Sequence, residues 1–217
     1  MSEVADRYKK LLTRGEGTER IAFFSDAVFA IALTLLVLDI RVPSGLSAED
    51  LWPALVDLWP NFFAFLLTFA ILGINWISHH RKFRVIERFD GGLIWINFAF
   101  LMFVALTPLP TSILSDYAPA LPAVVFYAAV VAALGLLQLA MWVYARRRGL
   151  MSDAIDPELF RYTSRSIAIP PAVFLVSIGI AFLDPLIAMF SWALIWPLGA
   201  VVNRIATRRD RVSRSRG

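Results

Sequence analysis

Between Ile21 and Leu38 the chain runs 18 residues with one ionisable side chain, Asp26. That is the length at which an apolar run becomes a candidate membrane-spanning helix. A carboxylate in such a helix is costly to leave alone, so Asp26 must belong to a polar network or do functional work. Placed on a helix at 100° per residue, Arg20, Phe24, Ala27, Ile31, Thr34, Leu35 and Leu38 form one stripe. Ser25 and Asp26 fall on its two flanks, roughly 120–140° from its centre. The first apolar run therefore has an aliphatic column with a single hydroxyl, and polar flanks that need partners on other elements.

The same kind of run recurs along the 217 residues, which are 59% hydrophobic. Solid runs rather than alternating ones predict an all-α polytopic membrane protein, not a β-barrel. Six spans are predicted, over residues 21–40, 55–77, 93–114, 121–145, 167–183 and 186–205, in one transmembrane domain with a basic tail over 206–217. Residues 1–19 are expected to lie at the membrane surface; with no apolar stretch ahead of the first span, that span is expected to serve as an uncleaved anchor. Val42-Pro43-Ser44-Gly45 ends the first span, and residues 47–52 read as a short acidic interfacial loop. Thr107-Pro108-Leu109-Pro110 should kink or end the third span. Asp156-Pro157 signals a helix start, taken as a short amphipathic helix, and Pro170-Pro171 are placed in the first turn of span five.

Charge tests the topology. The basic residues before span one (Arg7, Lys9, Lys10, Arg14, Arg20), after span two (Arg81, Lys82, Arg84, Arg88), after span four (Arg146, Arg147, Arg148, Arg161, Arg165) and after span six (Arg204, Arg208, Arg209, Arg211, Arg214, Arg216) would share one side; they are all but Arg41 of the 21 Lys and Arg. The positive-inside rule then puts both termini in the cytoplasm, in a plasma-membrane protein. It also accounts for the net charge of +4 without a nucleic-acid partner, because the basic residues are juxtamembrane and face anionic lipid.

The chain has no cysteine, which excludes disulfides, thiolate metal sites and cysteine nucleophiles. It carries no P-loop, HExxH, GxSxG or TVGYG-type filter, so neither an enzyme nor a carbonyl-filter channel is indicated. Its two histidines are adjacent and point apart on a helix, so they do not form a metal site there. Polar groups that fall at similar depth on spans one to three are Arg20, Ser25, Asp26, Asn75, Trp76, His79, His80 and Asn97. They allow a structural clasp on span one, a proton relay between Asp26 and a histidine, or direct ion binding at Asp26. The aliphatic stripe on its own reads as a lipid-facing or packing surface. A proton-coupled secondary transporter and a membrane enzyme or assembly factor are the other functional classes; transporters characteristically break helices near the midplane, whereas the breakers here are placed near span ends.

Arg20-Ile21-Ala22-Phe23-Phe24-Ser25-Asp26, an RxxxFSD sequence opening the first span, resembles the signature of the transmembrane protein 175 family of endolysosomal potassium channels and their bacterial homologues. The continuation Phe29 to Leu38, the Trp76/His79/His80 region and the proline-bearing end of span three resemble it too. The animal members carry two six-span repeats; this chain has one and is similar to the bacterial type, which implies a homotetramer. The resemblance implies a potassium-preferring cation channel whose first helix, from each subunit, lines a central pore. Ile31, Leu35 and Leu38 match the family's hydrophobic pore layers, and Thr34 a hydroxyl ring that aids selectivity. Arg20, Phe24, Ser25 and Asp26 match motif residues that hold the first helix through Trp76, His79 or His80, and Asn97. No cofactor is implied beyond permeating potassium.

Overall fold

The computed structural model describes residues 16–201 and is all helical apart from one isolated bridge. Helix α1 covers Glu16–Leu35 and tightens into a 3₁₀ turn over Leu36–Asp39. There follow α2 (Ala48–Asp57), α3 (Trp59–Phe83), α4 (Gly91–Leu106), α5 (Pro108–Tyr117), α6 (Leu121–Arg147), α7 (Pro157–Ala181) and α8 (Pro185–Ser191), which runs on through a 3₁₀ turn as an apolar helix to Val201. Among the described residues, five segments are long and apolar enough to cross a membrane: Glu19–Asp39, α3, α4 with α5, α6 and α7. The sixth predicted span is a shorter apolar helix over Pro185–Val201; its predicted end, the surface segment over 1–15 and the basic tail over 206–217 lie outside the described residues.

Local chemistry explains most boundaries. Asp90, Asp156 and Asp184 cap α4, α7 and α8, each accepting from backbone amides of the first turn at 2.7–3.1 Å. Pro60, Pro108, Pro157 and Pro185 sit in first turns, where a missing N–H costs nothing. The predicted break at Thr107-Pro108 separates α4 from α5.

Four expectations need correction. Residues 47–52 are not a loop: Ser47 caps α2, accepting from the Asp50 amide at 3.2 Å, and Glu49 and Asp50 favour its positive end. Leu55 therefore belongs to α2, and span two starts at Trp59. Span two also runs past residue 77 to Phe83, because no Gly or Pro stands between 77 and 83 and His80, Arg81 and Lys82 suit a helix C-terminus. Span five starts at Pro157, absorbing the short amphipathic helix, and Pro170 and Pro171 lie inside it rather than in its first turn. There they meet a glycine on α6: a Cβ at Gly135 would lie 2.7–2.9 Å from the Pro171 ring. Gly135 lets α6 and α7 approach where the proline ring fills the groove between them.

Two apolar clusters organise the bundle. One joins α1, α3, α4 and α6 around Phe29, Leu36, Leu72, Phe100 and Leu134. The other joins α5, α6, α7 and α8 around Tyr127, Phe174 and Trp192. Within it Thr68 of α3 shares hydrogen bonds of 3.0 Å with Thr111 and with Tyr127, satisfying three buried hydroxyls together. At the basic end, the connections after α3 and α6 pair through the Ile86–Met151 bridge. Asp90 there receives the Tyr144 hydroxyl at 3.0 Å and Arg148 Nε at 3.3 Å. Partial burial pushes the Asp90 carboxyl up, but the Leu93 amide, Tyr144 and Arg148 outweigh it and hold it below the ordinary carboxylate range.

Candidate functional site

The first helix shows two contrasting faces. Ser25, Phe29, Ala32 and Leu36, spaced four, three and four apart, are buried against α3 and α4. Arg20, Phe24, Ala27, Ile31, Thr34, Leu35 and Leu38 are all exposed on the subunit; Ile31 is 60% and Leu38 57% accessible. The switch to a 3₁₀ turn after Leu35 brings positions i and i+3 into line, so Leu38 stands over Leu35. Thr34 Oγ donates to its own helix, with Ala30 O at 3.0 Å and Ile31 O at 2.9 Å. Its proton is thus committed inward, and its oxygen lone pairs are left outward.

Two adjacent side chains tie this helix to two different neighbours. Trp76 Nε1 of α3 donates to Asp26 Oδ1 at 2.8 Å, a charge-assisted bond that supplies the donor the carboxylate needs. Ser25, fully buried, accepts from Asn97 Nδ2 of α4 at 3.2 Å, and Asn97 Oδ1 lies 2.8 Å from His79 Nε2 of α3. The donor directions follow from satisfying every atom. Ser25 gives its proton to Ile21 O at 2.8 Å, so it must accept from the Asn97 amide nitrogen. The Asn97 oxygen then faces His79, whose Nε2 must carry hydrogen. The His79 ring lies in an aromatic slot, stacked on Phe83 at 4.1 Å and on Phe100 at 5.4 Å, with Phe29 tilted against it.

The adjacent histidines therefore separate: His79 is buried in the clasp, while His80 is exposed and tilts against the Trp76 ring at 5.6 Å. Phe24 stacks on Phe98 of α4 at 6.3 Å, outside the hydrogen-bonded chain. Arg20 is exposed and joins none of these groups among the described residues. Asn75 is turned the other way, to Gln138.

That second polar cluster was not read from the sequence as a site. Lys82, counted among the lipid-facing basic residues, is buried at 3% accessibility. Its ammonium donates to Gln138 Oε1 and, at 3.4 Å, to Gln138 O, while Gln138 Nε2 donates to Asn75 O at 2.8 Å. The helical continuation of α3 to Phe83 turns Lys82 inward, on the face it shares with Asn75 and Ser78. A glutamine in the middle of the apolar α6 was the available signal. No group of His, Asp or Glu suited to a metal ion occurs among the described residues.

Candidate spans this long and apolar, with a polar clasp holding the first of them to its neighbours, define a multi-pass membrane bundle. The family model described as "Endosomal/lysosomal potassium channel TMEM175" matches residues 20–108, the part that contains the whole clasp. A potassium channel of Streptomyces collinus is 36% identical over 76% of this chain and 82% of its own length. Another, from Chamaesiphon minutus, is 34% identical over 77% of this chain and 85% of its own. The crystal structure of a lysosomal potassium-selective channel TMEM175 homologue from Chamaesiphon minutus superposes with a TM-score of 0.74, at 32% identity, covering 86% of this chain and 98% of that one. The chain belongs to the TMEM175 family, which is a family of ion channels and not of enzymes.

Proposed function

We propose that this protein is a potassium-preferring cation channel of the plasma membrane, with both termini cytoplasmic, in which α1 of each of four subunits lines a central pore. The observation that carries the reading is the exposed file on α1. Ile31, Thr34, Leu35 and Leu38 lie open on the subunit while the opposite face is fastened to α3 and α4. Around a fourfold axis, that file makes stacked aliphatic rings with one ring of hydroxyl oxygens. A constriction of this kind gates by dewetting. Potassium sheds water more easily than sodium, so a dry ring penalises sodium more, and the Thr34 oxygens replace part of the lost hydration. The Arg20 to Asp26 motif serves as the clasp that sets the rotation of α1. The relatives' description as potassium channels supports the choice of ion.

A proton-coupled transporter using Asp26 and a histidine fits less well. Asp26 is bonded to an indole, and the chain from His79 toward α1 passes through the Asn97 amide, which does not relay protons. The position of helix breakers no longer separates the two readings, since Pro170 and Pro171 are internal to α7.

The test is potassium flux into liposomes containing the purified protein, wild type against Ile31→Asn. The polar side chain should ease wetting, raise flux and weaken discrimination against sodium. Unchanged flux in the variant would make the file a packing surface. Failure of both to conduct, together with proton-driven uptake of a solute, would favour the transporter.

A further inference from the structure

A cleft of about 660 Å³ opens between α3, α6 and α7, away from α1. Its deep part is apolar, walled by Ile71, Val131, Phe174 and Ile195; its other end, toward the basic connections, carries Ser78, Arg81, Lys82, Thr163 and Ser166. Among the described residues no Asp or Glu lines it. Among the described residues Lys82 is held by Gln138 alone, through neutral oxygens, and no carboxylate pairs with it. A buried ammonium with only neutral acceptors lacks the anion that would compensate its desolvation.

We infer that this cleft holds one acyl chain of an anionic phospholipid, drawn from the leaflet on the side of the basic connections, with its phosphate at Lys82 and Arg81. Length supports the occupant. Lys82 and Ile71 are separated by about 16 Å along α3 at 1.5 Å per residue, about half of a ~30 Å hydrocarbon core. Charge supports it as well: a basic pocket between spans at the cytoplasmic boundary attracts phosphate headgroups. The tail after Val201 is a poor competitor, since its six arginines would be repelled by the same two cations. A second polypeptide copy would have to insert an acid to match them.

The protein is placed in phosphatidylcholine vesicles doped with diazirine-labelled phosphatidylglycerol or, separately, with diazirine-labelled phosphatidylcholine of the same chain length. Adducts are then mapped by mass spectrometry. The phosphatidylglycerol probe should label α3 around 71–78 and α7 around 163–174, and the phosphatidylcholine probe should label them weakly. Lys82→Gln should lower phosphatidylglycerol labelling by about fivefold, the worth of one cation at the interface. Lys82→Arg should restore it, and Ser166→Trp, which fills the cleft and keeps both charges, should abolish it. Equal labelling by the two probes, or labelling unchanged in Ser166→Trp, overturns the inference. So does absence of adducts in wild type, the result expected if another copy of the chain covers the cleft. If Lys82→Gln does not fold, the probe comparison on wild type and Ser166→Trp decides alone.

Discussion

The two faces of α1 are built from nearly the same chemistry and meet opposite fates. One has Phe29, Ala32 and Leu36 with the hydroxyl of Ser25; the other has Ile31, Leu35 and Leu38 with the hydroxyl of Thr34. The first is buried and the second exposed on the subunit. In a bilayer, apolar side chains gain little by leaving lipid, so hydrophobicity does not choose which face turns inward. Shape and polar partners choose. Ser25 reaches an amide on α4, and Phe29 fits beside the His79 and Phe100 rings at 6.0 and 5.8 Å. Thr34 finds only its own helix. A polar clasp two residues wide therefore orients some twenty residues of helix.

The largest expected effect on this contrast comes from Phe29→Ala, which opens a cavity against two rings and should cost about 3 kcal/mol of stability. Its detergent unfolding midpoint should fall well below that of Ile31→Ala on the other face; equal losses would break the comparison. Next is Asn97→Ala, which strands His79 Nε2 and one acceptor site of Ser25. About 1–2 kcal/mol is expected, and a double-mutant cycle with Ser25→Ala should show coupling, whereas independent effects would mean the two residues do not act as a unit. The smallest effect on stability belongs to Thr34→Val, expected within about 0.5 kcal/mol. Its readout is ionic: the potassium-to-sodium flux ratio should fall while the unfolding midpoint stays. A ratio that holds would remove the hydroxyl ring from the proposal.

Much of this arrangement was legible along the chain because its causes are local. The aspartate cap at 156 and the break before Pro108 are short-range backbone chemistry, visible as the Asp156-Pro157 and Thr107-Pro108 pairs. The stripe from Arg20 to Leu38 follows from helical periodicity, and all seven of its residues are exposed on the subunit. What was misread depended on neighbours. Pro170 and Pro171 look like a helix start until Gly135 on α6 is seen making room for the ring. Lys82 looks like a lipid-facing charge until Gln138, 56 positions away, is found at its ammonium.

The sequence by itself determined that the chain forms long apolar helices, where most of them begin, and that Asp26 needs a donor. Each of these is decided within a few residues, by backbone hydrogen bonding, capping and the cost of an unpaired charge in hydrocarbon. Only the tertiary structure decided that the donor is Trp76, that His79 and not His80 enters the clasp, and that Arg20 stays outside it. Adjacent residues on a helix differ by about 100° in direction. Which of two neighbours meets α4 therefore depends on how α3 is rotated in the bundle, a quantity set by packing against every helix at once.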